Sequence, residues 1–553
     1  MTHSITSAEL TNPLYYLQNA QTLIGWVVKV YQDLLTEEEL DRLSQFQSLS
    51  EPAKALLIRM VMRSQSQFLM RHIDHYQEII EPTEALIDSL VSAKLIALNQ
   101  PLSVQECFKL LNRQELLMLH NQLSSKPLSK SSSKQTLYDS LQRSSTAPLP
   151  LHQHLPVLGD TLHLLCDPLF ERLKLMFFGN LHQSWSEFVV TELGYFKYEP
   201  VELSLESRAF HRREDLDQYI ELEHLLTGDS LLSIEERVLA TQRIEPISSW
   251  LAGRKDRVLY LLARELEREE QTQALRVYQQ LSIQDAHIRE LRLLERLGKL
   301  EECHERTRLL QKENPTPLTQ LAYQRLLKRS SKKLGVEYSA STLLAPPQQR
   351  LTLDQIEGVS VERQVAEHLT SENSHSHYVE NHLINGLFGL LFWDVIYAPV
   401  PGAFFNPFQS RPADLYRSHF KERRYPLITE AMTQIETGQY RETIRQRFRE
   451  KQGITNSFIH WSVLTEELVE RALNFIPADH LKRIFERLLM DIRTHRSGLP
   501  DLIRFNSDDE SYELIEVKGP GDRIQDNQKL WLDFFVRHDI PCSVYWIEWS
   551  HPE

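Results

Sequence analysis

The period of the apolar residues changes along this chain, and that change constrains the fold more than any other feature. From residue 12 to about residue 345, apolar side chains recur at steps of three and four, the spacing of helices with one buried face. Leu17, Leu23, Ile24, Val27, Val28 and Tyr31 make one such face, and Leu56, Leu57, Met60 and Val61 another. After residue 495 the step becomes two, as in Tyr512-Glu-Leu-Ile-Glu-Val-Lys518, the alternation of a strand. Seventeen Gly among 553 residues suits long helices. The expectation is a multi-domain chain, mainly α-helical over its N-terminal two-thirds, ending in an α/β domain with a small mixed sheet backed by helices.

Prolines and polar runs divide the chain further. Residues 1–100 read as a helical region in which Arg59, Arg63 and Arg71 share one face of the third helix, either a solvated face or a phosphate-contacting ridge. Residues 101–145 read as two short helices around the loop SSKPLSKSSSK. Over 101–150, six basic side chains, including Lys126, Lys130 and Lys134, face three acidic ones. This helix–basic loop–helix resembles a SAP-type DNA-binding module. Pro148, Pro150 and Pro156 mark a linker, and 155–345 reads as a helical domain. Within it Ala274 with Tyr278, and Cys303 with Pro315, take the small, large and proline positions of a tetratricopeptide-like repeat. The last domain runs over 360–553, with a helical insertion at about 400–495. Inside that insertion, Arg411 to Lys451 carries ten basic and six acidic residues, among them Arg441, Arg445, Arg447 and Arg449. It reads as a solvated helix face or a phosphate track.

Four scattered cysteines without a CxxC pair exclude a zinc finger and a disulfide framework. No P-loop is present, so ATP use is not implied. MTHSITSAEL has no signal-peptide character, and no apolar run is long enough for a membrane span. His368, His375, His377 and His382 read as a polar linker. The expectation is an intracellular protein, cytoplasmic and nucleoid-associated in a bacterium, or nuclear in a eukaryote. The net charge of −14 argues at first against a nucleic-acid partner, but it sums over local basic excesses.

The chemistry concentrates at Pro500-Asp501, fourteen residues, then Glu516-Val517-Lys518. Glu516 and Lys518 stand two apart on a strand and point to one face. A hairpin brings Asp501 alongside. Two carboxylates a few ångströms apart repel unless a cation lies between them, and Mg²⁺ or Mn²⁺ favours such oxygen ligands. The Val517 carbonyl would complete the set, and Lys518 would position the attacking water and stabilise developing charge. An exposed cross-strand ion pair is the plainer alternative.

The run GLPDLIRFN…YELIEVKGPGDRIQDNQKLWL resembles the VRR-NUC domain, a branch of the PD-(D/E)xK nucleases. Glu380-Asn-His-Leu-Ile-Asn-Gly to Trp393 is similar to that domain's first helix, and Pro13-Leu-Tyr-Tyr-Leu to the opening of a Fanconi-associated nuclease. The resemblance to that family implies that Glu380 is a further metal ligand and that Gln528, paired with Trp531, helps position water or phosphate. It implies a C-terminal PD-(D/E)xK nuclease using two Mg²⁺ or Mn²⁺ ions. The implied activity is cutting 5′-flap DNA and trimming from 5′ ends in interstrand crosslink repair. Arg523, in the Gly-Pro-Gly-Asp-Arg loop, reads like the insertion's arginines as either solvated or a phosphate contact. The absence of CxxC points to a bacterial member without the ubiquitin-binding zinc finger. No basic pair stands in Pro315–Tyr323, where a 5′-phosphate pocket would be sought. A Holliday-junction resolvase and a non-catalytic repair scaffold are the alternatives.

Overall fold

A computed structural model describes residues 12–550 except 64, 74–75, 80, 125, 146, 184, 186–196, 229–231, 340–341 and 418. The leader reading falls on residues outside this set. The chain forms two compact units, one of residues 1–196 and 208–252, the other of 197–207 and 253–553. The stretch read as one helical domain at 155–345 is thus divided between them.

In the first unit, the helices Tyr15–Tyr31, Glu37–Ser48, Glu51–Val61 and Thr83–Ser92 accompany a three-stranded antiparallel sheet. Its strands are β1 (Gln67–Leu69), β2 (Ile96–Leu98) and β3 (Thr161–Leu164), with β3 central. Thr36 and Glu39 form a reciprocal capping box, which sets where the second helix starts. Ser50 caps the third helix and Pro52 occupies its first turn.

That third helix ends at Val61, which overturns the reading of a shared arginine face. Arg63 lies beyond the helix, and Arg71 sits in a separate 3₁₀ turn, Met70–His72. Arg59 lies over the Tyr16 ring at 4.0 Å and pairs with Glu78 at 2.6 Å. Arg71 pairs with Glu115. Arg63 is exposed and donates to the His72 carbonyl, and among the described residues no carboxylate pairs with it. The SAP-like segment forms the helices Val104–Leu110, Arg113–Leu123 and Lys134–Ser144 over a leucine core. Lys126 and Lys130 are exposed in its loop, while Lys134 lies over the Phe108 ring at 4.6 Å.

In the second unit, Gln271–Tyr278, Gln284–Arg296, Leu300–Leu310 and Pro317–Leu334 form successive helices. Ala274, Tyr278 and Cys303 are fully buried, as small and large repeat positions require. A five-stranded mixed sheet follows, ordered β4-β8-β7-β6-β5: β4 (Gln348–Leu353), β5 (Ser374–Tyr378), β6 (Leu502–Asn506), β7 (Ser511–Lys518) and β8 (Cys542–Trp549). β4, β8 and β7 run parallel, and β6 and β5 antiparallel to their neighbours. Alternate residues face opposite cores. Leu502, Ile515 and Val517 pack with Val365 of the Val361–Leu369 helix. Ile503 and Leu514 pack with Trp531 and Phe535 of the Asp526–Arg537 helix.

Two sequence readings change here. The histidine-rich stretch is the edge strand β5, not a linker, and His377 and Tyr378 pair with Ile503 and Leu502. Its alternation of Ser and His hid it, because neither is a marked strand former. The arginines of the insertion are also largely paired within the unit. Arg445 binds Glu470 at 2.7 Å, Arg447 binds Asp394, Lys451 binds Glu199 at 2.6 Å, and Arg424 binds Asp414 through two bonds of 2.8 and 2.9 Å. Partnered this way, these residues offer fewer free donors to a phosphate than the segment's charge suggests; the net charge of a segment does not show which of its cations already have partners.

Candidate active site

β7 ends where β6 begins, and the site is built at that edge. Strand parity sets Glu516 and Lys518 on the face of Leu514, and their side chains form an ion pair of 2.5 Å. Glu516 is fully buried and Lys518 is 7% exposed, so this is not a surface ion pair. Asp501 stands just before β6. Its Oδ2 accepts the Val517 amide at 2.8 Å. In an extended strand a residue's N–H and C=O lie on the same edge, so the Val517 carbonyl faces the Asp501 side as well.

Glu380 comes to the same place from β5. The backbone amides of Val379 and Glu380 both donate to the Asp501 carbonyl at 2.8 Å. Glu380 is not on a helix, as its sequence context implied. It lies ahead of Leu383–Leu391 with φ of 35°, a conformation uncommon for a residue with a side chain and concentrated at functional sites. Its carboxylate accepts from Tyr378 Oη at 2.7 Å and from Asn381 Nδ2 at 3.2 Å. Asn381 also takes the Leu499 amide, and so ties Glu380 to the loop before Asp501.

That loop depends on Gly498. Its φ is +83°, and a Cβ there would stand 2.8 Å from the Asn527 side chain and 2.9 Å from its backbone carbon. Gly498→Ala is therefore expected to destabilise the protein by about 1–3 kcal/mol and to slow any chemistry at Asp501. An unchanged urea midpoint would contradict this.

The electrostatics are those of a crowded acidic site. Burial, then the charge of Asp501, pushes Glu516 up to about 8 against the pull of Lys518. Burial raises Asp501 to about 6, against the Val517 amide and Lys518, and the charges of Glu362 and Glu380 raise it further. Glu362 is a residue that sequence reasoning missed. It opens the helix beside the sheet, and only the fold brings that helix to Asp501.

These residues suit a divalent cation. Glu516 Oε2 is buried without a hydrogen-bond partner, and an oxygen-rich set around it is what Mg²⁺ or Mn²⁺ takes. Among the described residues, no three acidic, His or Cys side chains already stand together as a finished ligand set. Glu516 rests on Lys518, Asp501 on the Val517 amide and Glu380 on Tyr378.

Gln528 lies in the first turn of its helix, and its side-chain oxygen accepts the Gln525 amide at 2.7 Å. A helix cap thereby occupies that oxygen. Arg523 is exposed in the loop after β7. A cavity of about 820 Å³ lies beside Thr316 and Thr319, and its cations come from Arg417, Lys421 and Arg493. Asp285, Asp491 and Asp526 balance them.

Comparison with known proteins decides the family. The VRR-NUC domain description matches residues 435–546, and that of the FAN1 HTH domain matches residues 14–97. The chain is 38% identical over 552 residues to the Fanconi-associated nuclease 1 homolog of Pseudomonas aeruginosa, covering 99% of this chain and 98% of that one. It belongs to the Fanconi-associated nuclease family. It is also 31% identical over 188 residues to the homolog of Schizosaccharomyces pombe, across 34% of this chain and 27% of that one. A crystal structure of paFAN1 bound to 2nt 5′ flap DNA with a gap superposes with a TM-score of 0.81 at 38% identity, covering 99% of this chain and all of that one. As a Fanconi-associated nuclease, the chain is a structure-specific DNA nuclease with a C-terminal VRR-NUC domain, dependent on a divalent metal. No described helix is long and apolar enough to cross a membrane. The VRR-NUC match begins after Glu380, so the site draws on a segment outside that match.

Proposed function

We propose that this nuclease cuts 5′-flap DNA and trims from 5′ ends, in repair of interstrand crosslinks and in a bacterial cytoplasm. Glu380, Asp501, Glu516 and the Val517 carbonyl would hold two Mg²⁺ or Mn²⁺ ions. Bound there, the metal supplies charge for the phosphodiester oxygens and acidifies a water. The buried Glu516 oxygen without a partner, beside an Asp501 raised to about 6, is the observation that supports this most.

The residues have separable tasks. Asp501 orients the end of β7 through the Val517 amide. Lys518, freed from Glu516, carries an ammonium beside the reacting phosphate and stabilises its developing charge. Tyr378 holds Glu380 in place. Gln528 keeps its amide nitrogen to offer a water or a phosphate. Lys126, Lys130, Arg63 and Arg523 are exposed cations for phosphate contact, whereas Arg59 and Arg71 are held in ion pairs. The paFAN1 structures solved with 1nt and 2nt 5′ flaps support a flap over a four-way junction. Cleavage of both substrates by one preparation in Mn²⁺ tests this. Faster flap cutting is expected, and equal or faster junction cutting would favour a resolvase.

A further inference from the structure

The structure assigns a second anion site to the helical repeat, away from the acidic centre: a cavity that takes the phosphates of a DNA strand. It rests on the reading that this nuclease grips branched DNA. The cavity holds about 670 Å³. Arg264 and Arg268 enter it from the Ser249–Leu266 helix and its C-terminal end. Arg289 and Arg296 enter from the Gln284–Arg296 helix. Its carboxylates are Glu265 and Glu267, so the lining is net positive by two, unlike the balanced cavity beside Thr316.

The arrangement presents cations to solvent. Glu267 is 7% exposed, and one of its oxygens accepts from Tyr278 Oη at 2.9 Å. Arg289 and Arg296 approach it only to 3.4 and 3.3 Å, longer than a charge-assisted hydrogen bond of about 2.7–2.9 Å. Glu267 thus anchors the two guanidiniums without using up their fork of donors. Arg264 and Arg268 are exposed, and among the described residues no carboxylate pairs with either.

Spacing and lining choose the ligand. Arg264 and Arg268 lie one turn apart, about 6 Å along the axis, and Arg289 and Arg296 two turns apart, about 10 Å. Two such rows suit successive phosphates, which guanidinium forks bind in bidentate fashion. Of the lining side chains only Leu261 is apolar, so there is no pocket for the side chains of a peptide.

Flap binding measured against salt tests the site. In Arg264→Gln/Arg268→Gln the slope of log K against log salt should fall by about 2, at about 0.9 per phosphate released. Affinity near 150 mM salt should weaken on the order of tenfold. Arg264→Lys/Arg268→Lys keeps the charges and should keep the slope. Arg276→Gln/Arg308→Gln removes two exposed cations elsewhere on the repeat and should change the slope by less than about 0.5. Equal thermal unfolding of all variants shows that the fold is intact, since both arginines are exposed and unpaired. A wild-type slope in Arg264→Gln/Arg268→Gln, or equal losses in both neutral pairs, overturns the site while leaving the flap reading standing. Salt-independent flap binding by the unmodified protein overturns the flap reading, and the site with it.

Discussion

Asp501→Ala is expected to lose flap cutting on the order of 10³-fold or more, about 4 kcal/mol of transition-state stabilisation, while remaining folded. Asp501 does three things at once. Its carbonyl takes the amides of Val379 and Glu380, its Oδ2 takes the Val517 amide, and its charge pushes Glu516 up. The substitution keeps the carbonyl and removes the other two. The Val379–Glu380 turn should therefore survive, and the relief of repulsion should leave metal-free stability unchanged or higher. What should vanish is stabilisation by added metal. A ligand that binds only the native state raises stability by about 2.7 kcal/mol at a hundredfold excess over its Kd. The Tm of the unmodified protein should rise with Mn²⁺, and that of Asp501→Ala should not. Equal rises in both proteins would place the metal elsewhere.

The second large effect concerns stability. Asp414→Ala should destabilise the second unit by about 3–5 kcal/mol, because removing one partner of a buried ion pair leaves the other charge uncompensated. Arg424 is 1% exposed and Asp414 5% exposed, joined by two hydrogen bonds, with the guanidinium over the Phe420 ring at 4.3 Å. Arg423 binds the same carboxylate at 3.3 Å. Replacing both Asp414 and Arg424 by apolar residues should recover most of the loss. A urea midpoint in Asp414→Ala within error of the unmodified protein would show that the pair contributes nothing.

These two cases show what could be read in the sequence. Asp501, Glu516 and Lys518 were legible because strand parity and a short hairpin are local rules; three residues and one turn place them. Glu380 was legible only through resemblance. Its approach rests on amides crossing to a carbonyl 121 positions away, which periodicity does not encode, and it sits in a turn where a helix was expected. Glu362 was invisible for the same reason. The helical region was legible as helices, since Ala274, Tyr278 and Cys303 pack where the repeat pattern set them. The use of its arginines was not. Arg59, Arg71, Arg445 and Arg447 have acidic partners, while among the described residues none pairs with Arg264 or Arg268. Charge counted along a chain cannot tell the two kinds apart; pairing in three dimensions does.

The central claim is that a buried acidic set at the end of β7 holds the metal that drives phosphodiester cleavage. The product ladder from a labelled 5′-flap duplex in Mn²⁺, for the unmodified protein beside Glu516→Ala, tests it most directly. The account predicts discrete cuts near the junction and a 5′ ladder from the unmodified protein, both lost in Glu516→Ala and in EDTA. The same ladder from Glu516→Ala would contradict it.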